Sequence, residues 1–342
     1  MTSYMYYPGC SLEGSARAYS ASLAAIVAPL GIELHEIDDW NCCGATEYLT
    51  LSPLRWHALI ARNLALAEAQ RKGTSTLVAP CSACYVNLSK TDRYFRENRS
   101  FGDRVNAALA ADDLHYTGGA VRVRHLLEVL IEDVGLDAIA ARVTRPLHGL
   151  RVAPYLGCLV SRPDLDGRWG QREQPHELDR LMGALGAEVV DYPLRTACCG
   201  GHMTQISPDT AWELIRRLVE GADQAHADVM ATVCPMCQMN VDAYQGEMDR
   251  HYRARYQVPI LFFTQLMGLA FGLAPEKLGI GTEVVSPARA LARIGVEVAE
   301  PEPEVEPGAP QTHEPKRQKR PQGLPMPEPL LDRKPQPAEA ER

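Results

Sequence analysis

Ten cysteines at ordered spacings are the residues of this sequence best suited to chemistry. They form two sets of five, and each set contains one upstream cysteine, an adjacent pair followed by glycine, and a downstream Cys-x-x-Cys. The two sets are Cys10, Cys42, Cys43, Cys81 and Cys84, and Cys158, Cys198, Cys199, Cys234 and Cys237. In a reducing compartment, cysteines at such spacings indicate metal or redox chemistry rather than structural disulfides.

The number of thiols in each set bears on which metal it would bind. Tetrahedral zinc takes four ligands, whereas each set offers five. Neighbouring side chains diverge, so an adjacent pair seldom binds one small ion, but its members can serve different irons of a cluster. Iron–sulfur clusters are usually held by four thiolates, so a fifth indicates a cluster that departs from the simple cube. Zinc in one set and a Cys-x-x-Cys dithiol acting alone are the alternatives.

Length, charge and hydropathy narrow the class of protein. A chain of 342 residues predicts roughly two domains, and a net charge of −8 argues against a general nucleic-acid binder. The apolar run from Ile260 to Ala274 is too short to form a transmembrane segment. The first five residues lack the basic start of a signal peptide. We therefore expect a cytoplasmic protein.

The chain repeats itself, and the repeat carries the cysteines. Residues 6–10 resemble residues 154–158, and Trp56 and Trp212 each follow the second cysteine of their pair by thirteen residues. This pattern predicts duplication of one α/β unit. We expect a first cysteine-rich domain over residues 1–147, a second over 148–285, and a linker with a disordered Pro- and Glu-rich tail over 286–342.

Apolar periodicity predicts strands that alternate with helices in both halves. The expected strands are 3–7, 32–37, 76–79, 151–156, 187–192 and 229–233, and the expected helices are 15–30, 176–185, 207–219 and one that begins at Ser52-Pro53. Each half closes with a similar apolar segment, at 121–127 or 259–265. This alternation predicts an α/β fold with short parallel sheets flanked by helices. The cysteines then lie near strand ends or in turns, where such sheets present side chains to a ligand.

Residues next to the cysteines have predicted supporting roles. Each Cys-x-x-Cys precedes an apparent helix, whose N-terminus should lower thiol pKa values. Gly44, Gly200 and Gly201 should leave room for a bulky cluster near the backbone. His202 could donate a proton to a departing thiolate; a hydrogen bond to the cluster or the backbone is the alternative.

Other polar residues carry weaker expectations. Arg151 and Arg162 flank Cys158 and could bind an anionic substrate, although arginine is also common in surface turns. The expectation for His57, His125 and His226 is a surface or core position, and for both tryptophans a packing role. The sequence contains neither a dinucleotide fingerprint nor a Gly-rich phosphate loop, so a flavin or nicotinamide would have to come from a partner.

Residues 3–280, with all ten motif cysteines, resemble the cysteine-rich CCG domain that occurs twice in the B subunit of heterodisulfide reductase. In that family each complete motif binds a non-cubane [4Fe-4S] cluster through five cysteines, which implies one cluster for each set here. The resemblance also implies an oxidoreductase that cleaves a disulfide between its two clusters. Its electrons would arrive through an iron–sulfur partner like the C subunit of that complex and a flavin partner like its A subunit. The tail has no counterpart in the family pattern.

Electron counting agrees with this implication. Breaking a disulfide takes two electrons, whereas an iron–sulfur cluster usually passes one, so two clusters facing one S–S bond would suffice. The expected substrate is a small disulfide that is reduced, or a small or protein-bound sulfur carrier that is oxidised in the reverse direction. An electron-transfer or membrane-anchor adaptor without its own substrate chemistry is the alternative, because CCG domains also occur in dehydrogenase assemblies. A structural zinc protein is a third possibility.

Overall fold

The computed structural model describes residues 2–45, 52–162 and 174–298, and these include two four-stranded sheets. The first sheet contains β1 (Thr2–Tyr6), β2 (Ile32–Glu36), β3 (Thr76–Ala79) and β4 (Arg122–His125). The second contains β5 (Arg151–Tyr155), β6 (Glu188–Val189), β7 (Val229–Thr232) and β8 (Ile260–Phe262). Their strand orders are β2-β1-β3-β4 and β6-β5-β7-β8, with parallel pairing throughout. The predicted α/β fold with one short parallel sheet per repeat is confirmed.

Helices connect and cover these strands. The helices of the first repeat are α1 (Cys10–Glu13), α2 (Arg17–Val27), α3 (Pro53–Ala69), α4 (Ser82–Glu97), α5 (Arg99–Leu109), α6 (Leu126–Val129) and α7 (Leu136–Ala140). Those that follow β5 are α8 (Glu177–Ala184), α9 (Met203–Ile206), α10 (Pro208–Gln224), α11 (Pro235–Ala243), α12 (Gln245–Tyr252), α13 (Phe263–Ala270) and α14 (Ala288–Ala292). Ala110–Asp112 and Pro275–Leu278 are 3₁₀-helical, and Leu130–Val134 is a π-helical segment.

The helix that precedes each Cys-x-x-Cys begins in the same way in both repeats. Proline occupies the first turn of α3 and of α10, where its missing N–H costs no hydrogen bond. Trp56, Ile60 and Leu64 lie on the buried face of α3. Ala211 and Ile215 lie on the corresponding face of α10. The apolar faces of both helices therefore pack into the core.

The edge strand of the second sheet is shorter than predicted. A strand was expected over 187–192, but only Glu188 and Val189 pair with β5. Beyond them the chain turns toward the thiols, and the carbonyl of Arg195 accepts hydrogen bonds from the backbone N–H groups of Leu156 and Gly157. The backbone groups that a longer strand would have used are satisfied in this turn instead.

The two repeats interlock. Helix α2 of the first repeat packs on α13 of the second, where Ser22 and Thr264 share a buried hydrogen bond of 2.6 Å. One turn earlier on α2, the buried ring of Tyr19 stacks on Phe262 with a centroid distance of 4.3 Å. Both repeats accordingly belong to one compact unit, Met1–Pro301.

The segment that follows the second repeat is more structured than predicted. A linker was expected from residue 286, but α14 lies in this segment, and Leu291 and Val296 are buried in the core. Burial of these apolar side chains stabilises the segment against the rest of the fold. The predicted tail beyond it lies outside the described residues. Within the described part of the chain, no helix is long and apolar enough to cross a membrane.

Candidate metal centre

The thiols of each repeat gather at one edge of its sheet. Cys10 and Cys158 follow the central strands β1 and β5, and the adjacent pairs lie in the loops after β2 and β6. Cys81 and Cys234 are the N-caps of α4 and α11, just after β3 and β7. Parallel strands end at the same edge of a sheet, so these five positions converge in each repeat.

The first five sulfur atoms are linked by direct contacts. The Sγ atoms of Cys10 and Cys42 are 3.4 Å apart, and those of Cys43 and Cys84 are 3.5 Å apart. Cys43 also affects the pKa of Cys42, and Cys81 that of Cys84, so these thiols lie close to one another as well. The structure therefore brings together all five cysteines of the first set.

The second set has a similar arrangement beside a cavity. Cys158 and Cys198 lie close enough to shift each other's pKa values, and the thiol of Cys237 is likewise affected by those of Cys199 and Cys234. A cavity of about 230 Å³ is lined by these five cysteines and by mostly apolar side chains, among them Leu159, Met203, Ile206 and Met236. Ser82 and Ala83 of the first repeat complete its wall, so both repeats contribute to this cavity.

One thiol contact joins the two sets. The thiols of Cys81 and Cys234 lie close enough to shift each other's pKa values, and both are buried. The hydroxyl of Tyr19 lies beside them, 3.1 Å from the carbonyl oxygen of Pro80 and 3.4 Å from that of Val233. Pro80 and Val233 immediately precede Cys81 and Cys234, so one buried tyrosine contacts the backbone at both Cys-x-x-Cys motifs.

Contacts between thiols dominate their protonation. A hydrogen bond from Cys10 lowers the pKa of Cys42 to about 2, and one from Cys158 lowers that of Cys198 to about 6. A hydrogen bond to Cys42 raises the pKa of Cys43 to about 11. In each set one member of the adjacent pair is thus favoured as a thiolate.

The expectation that the helix N-terminus lowers the pKa at each Cys-x-x-Cys is wrong at three of the four thiols. The pKa of Cys81 is raised well above its ordinary value by its hydrogen bond to Cys234, and that of Cys84 by its bond to Cys43. The pKa of Cys237 is raised in the same way by Cys199. Only at Cys234 do the hydrogen bonds from Cys237 and Cys81 lower the pKa. Neighbouring thiols and burial outweigh the helix dipole here.

A repeated Tyr-x-Gly-Cys motif supports each set from the upstream side. The Tyr7 hydroxyl donates to the carbonyl of Asn41 at 2.7 Å, and the Tyr155 hydroxyl donates to that of Ala197 at 3.0 Å. Each acceptor residue immediately precedes an adjacent cysteine pair. Sequence analysis registered this similarity but assigned it no role; its recurrence in both halves was the available signal.

The glycine of the same motif allows close approach of a sulfur. A Cβ atom added to Gly9 would lie 2.9 Å from the Sγ atom of Cys84, and one added to Gly157 would lie 2.8 Å from that of Cys237. Both glycines have positive φ angles, 75° and 72°. Any larger residue would displace the thiol and strain the backbone.

The predicted glycines after the adjacent pairs also have positive φ angles, 74° at Gly44, 94° at Gly200 and 54° at Gly201. A Cβ atom on Gly44 would press on Trp56 and Leu59 of α3 at 3.2 Å. Packing against that helix therefore accounts for Gly44 as well, and a role in making room for a cluster stays a prediction.

His202 is half-buried and lines the cavity, as a proton donor near the thiols would be.

The two arginines predicted to flank Cys158 lie in different parts of the second repeat. Arg162 lies close enough for its charge to favour the thiolate forms of Cys158 and Cys198. Arg151 starts β5 at the opposite edge of the sheet, where its guanidinium pairs with Asp228 at 2.9 Å beside a cavity of about 690 Å³. A strand delivers its first and last residues to opposite edges, so Arg151 cannot share a site with the thiols.

The other three histidines for which a surface or core position was predicted lie in such positions. His57 and His125 are buried, and burial lowers the pKa of each to about 4. His226 is exposed in a turn. His125 Nδ1 accepts the backbone N–H of Leu127 at the start of α6, a structural role.

The donor set fits an iron–sulfur cluster in each repeat. Five thiols converge in each, and thiolate is the usual protein ligand of such clusters. The glycines that hold a thiol against the backbone form part of the same cradle. Among the described residues, no group of three or more His, Cys, Asp or Glu side chains is arranged to hold a single metal ion.

Fold and site define a duplicated cysteine-rich α/β protein, and the chain belongs to the CCG cysteine-rich domain family, which matches residues 4–89 and 152–242. The chain is 33% identical over 286 residues to the 8-methylmenaquinol:fumarate reductase membrane anchor subunit of Wolinella succinogenes, covering 84% of this chain and 98% of that protein. It is 27% identical over 297 residues to the B subunit of the ferredoxin:CoB-CoM heterodisulfide reductase of Methanosarcina mazei, covering 86% and 97%.

A solved structure shares the fold. A hypothetical protein from Helicobacter pylori superposes with a TM-score of 0.67 at 15% identity, over 83% of this chain and 52% of that one. The chain thus spans about half of that structure. The resemblance to the B subunit of heterodisulfide reductase is confirmed by relatives that match most of the chain. Together these matches indicate an iron–sulfur subunit of a reductase complex.

Proposed function

We propose that this chain is the catalytic subunit of a heterodisulfide reductase-like complex. Cys10, Cys42, Cys43, Cys81 and Cys84 would hold one non-cubane [4Fe-4S] cluster, and the five cysteines of the second set would hold another. A disulfide would be reduced between them, or a thiol or sulfane sulfur oxidised in the reverse direction. The support for five ligands per cluster is the convergence of five sulfurs in each repeat.

The single observation that carries this proposal is the proximity of the Cys81 and Cys234 thiols, which shift each other's pKa values. Two independent electron carriers on one chain need only lie within electron-transfer range. A shared substrate requires more, because both centres must reach the same S–S bond. The proximity of these two thiols, one from each set, supports a common reaction site.

The chemistry of this reaction is balanced by two electrons and two protons. The disulfide S–S bond breaks, each sulfur gains one electron, and protonation yields two thiols. The clusters, when bound, supply the electrons one at a time. His202 lines the cavity beside the second set, where a histidine can deliver one of the protons.

The apolar cavity beside the second set supports a role in substrate entry. Its walls include Leu159, Met203 and Ile206, and the Ile206 side chain is 66% exposed at the rim. Apolar walls exclude water from a thiolate and strengthen the electrostatic interactions at the reacting atoms. Electrons would reach the chain from an iron–sulfur partner (C-like) and a flavin partner (A-like) of the same complex, since sequence analysis found no fingerprint for a flavin or nicotinamide.

A second candidate is an electron-transfer adaptor without substrate chemistry. The observation in its favour is the 33% identity to a protein named as a membrane anchor subunit. The match covers 98% of that protein and 84% of this chain. Such an adaptor would use the same thiols to hold clusters, but would have no need for a substrate between them.

Iron analysis tests the part that both candidates share. We expect anaerobically purified protein to contain about eight irons per chain, two clusters of four. One or two zincs without iron would refute both candidates.

Anaerobic titration with thiols separates the two candidates. The reconstituted protein would be oxidised stepwise with a panel of small thiols and a thiol-bearing carrier protein while paramagnetic cluster signals are recorded. A catalytic subunit should give a signal that appears only with thiol. An adaptor should give the same signals with and without thiol, and should sediment with phospholipid vesicles in its complex.

A further inference from the structure

A buried asparagine occupies the same position in both repeats. Asn87 and Asn240 each follow the second cysteine of a Cys-x-x-Cys by three residues, so both halves contain the longer motif Cys-x-x-Cys-x-x-Asn. One helical turn separates the cysteine from the asparagine on α4 and on α11, which places both on the same face. Asn87 is 6% exposed and Asn240 is fully buried.

The two side chains make matching contacts with the loop that carries the adjacent cysteine pair. Asn87 Nδ2 donates to the carbonyl of Ala45 at 2.8 Å and lies 3.4 Å from the carbonyl and 3.5 Å from the Sγ atom of Cys43. Asn240 Nδ2 donates to the carbonyl of Gly201 at 2.8 Å. It lies 3.3 Å from the carbonyl and 3.5 Å from the Sγ atom of Cys199. The duplicated geometry indicates a common role.

The chemistry of the acceptors determines the orientation of each amide. Backbone carbonyl oxygens only accept hydrogen bonds, so the NH₂ group rather than the side-chain oxygen must face the loop. That group has two N–H donors, and the carbonyl of Ala45 or Gly201 takes one of them. The other is left for the cysteine, whose sulfur accepts most strongly as a thiolate.

We propose that Asn87 and Asn240 are positioning residues that donate an N–H···S hydrogen bond to Cys43 and Cys199 and thereby raise the reduction potential of the cluster held there. The inference rests on the proposed cluster ligands. Reduction adds negative charge to a cluster and its thiolates, and a donor aimed at a thiolate stabilises the more negative state. Without the donor, reduction becomes less favourable.

Substitution by leucine tests the proposal one repeat at a time. Leucine has nearly the size of asparagine but cannot donate a hydrogen bond, so Asn87→Leu removes the donor from the first site only and Asn240→Leu from the second. Each variant should reduce the equilibrium constant for one-electron reduction of one cluster about tenfold, or about 59 mV. The other cluster should keep its potential, which makes each variant a control for its partner.

Asn106→Leu controls for the loss of a half-buried amide that braces the backbone. Asn106 also holds backbone, through contacts with the N–H and carbonyl of Tyr116 at 3.0 Å, on a helix that carries no cysteine. This variant should lower stability and change neither potential. Unchanged potentials in Asn87→Leu and Asn240→Leu at full iron content would overturn the proposal, since asparagines that only brace the loop predict that result.

If the variants lose their cluster, a measurement on wild-type protein still tests the proposed hydrogen bond. Protein labelled with [¹⁵N]-asparagine would be reduced, and hyperfine couplings to ¹⁵N and to exchangeable protons recorded by pulsed electron paramagnetic resonance. We expect a ¹⁵N coupling to each cluster, and its absence would refute the N–H···S bond. An iron-free protein would refute the proposed clusters as well, whereas iron-loaded protein without the coupling would refute only the asparagine role.

Discussion

The thiols of Cys81 and Cys234 lie close enough for each to shift the pKa of the other, although the two residues belong to different repeats. Each begins a helix directly after a central strand of its own sheet. The interlock of α2 with α13 inserts Tyr19 at this meeting point, where its hydroxyl contacts the carbonyls of Pro80 and Val233. One buried hydroxyl group therefore contacts the backbone next to a thiol of each set.

Tyr19→Phe should change the interaction between the two centres without emptying them. Phenylalanine keeps the stack on Phe262 but loses the hydrogen bond to Pro80. We expect unchanged iron content, a loss of about 1 kcal/mol of stability, and an altered magnetic coupling between the reduced clusters. The measurement is the line shape of the paramagnetic resonance spectrum of the fully reduced protein.

Tyr116→Phe is the matched control for this prediction. The Tyr116 side chain is equally buried, and its hydroxyl donates to Asp92 instead of to the backbone near a thiol. It should lower stability comparably and leave the line shape unchanged. An identical change in both variants would show that Tyr19 has no special part in spacing the centres.

The contact at Tyr19 also shows what sequence reasoning could not supply. Spacing and periodicity predicted both sheets and the convergence of each cysteine set, because parallel strands end at one edge. The relation between repeats depends on how α2 packs against α13, and no local pattern around Ser22 or Thr264 encodes that partner. Sequence analysis therefore expected a facing arrangement in general but not the contact between Cys81 and Cys234.

The two supporting motifs were within reach of sequence analysis, unlike the packing of the repeats. Tyr-x-Gly-Cys and Cys-x-x-Cys-x-x-Asn both occur twice at equivalent positions. Their roles depend on long-range hydrogen bonds, such as the one from Tyr155 to Ala197. The duplication could have marked these residues as important, but only the folded chain shows which carbonyl or sulfur each one contacts.

Gly157→Ala should prevent one cluster from forming. The added methyl group would lie 2.8 Å from the Sγ atom of Cys237, and the φ angle of 72° is strained for alanine. Displacing one thiolate should empty the second site, so iron content should fall from about eight to about four per chain. Gly9→Ala should do the same at the first site through Cys84. Metal analysis of anaerobically purified protein measures both.

Gly73→Ala separates the effect on sulfur from backbone strain. Gly73 has a similar φ angle of 73°, but no atom lies within 4 Å of the added methyl group. We expect a loss of about 1 kcal/mol of stability with full iron content. Loss of iron in this variant too would mean that strain alone empties the sites.

Arg195→Met should destabilise the second repeat. The Arg195 side chain is 4% exposed, pairs with the largely buried Asp179 and donates to the carbonyl of Tyr192. Removing it leaves the Asp179 carboxylate with only the half-exposed ring of His176 as a partner, at 3.2 Å, which costs about 3 kcal/mol. Urea denaturation measures the change.

The exposed pair of Arg217 with Glu213 provides the comparison, and Arg217→Met should cost less than about 1 kcal/mol. Equal costs would contradict the assigned role of burial.

The last prediction concerns pH and the buried ring of His57. Its Nδ1 atom lies 2.9 Å from the hydroxyl of Thr91, and the ring packs edge-on against Trp56, Tyr94 and Phe101. Burial, with a smaller contribution from Lys90, lowers the pKa of His57 to about 4. The unfolded chain, with a histidine pKa of about 6.5, therefore binds a proton that the folded chain excludes.

This difference makes stability rise with pH across the window between the two pKa values. The contribution of His57 is fully present above about pH 6.5 and is lost progressively as the pH falls toward 4. Between pH 7.5 and 5.5 the loss is about 1.4 kcal/mol, or about 3 °C in thermal midpoint. His57→Gln removes this titration. The difference in thermal midpoint between wild type and variant should therefore become about 3 °C less favourable to wild type when the pH falls from 7.5 to 5.5. Parallel midpoint curves for the two proteins would show that His57 is protonated as readily in the fold as in the unfolded chain.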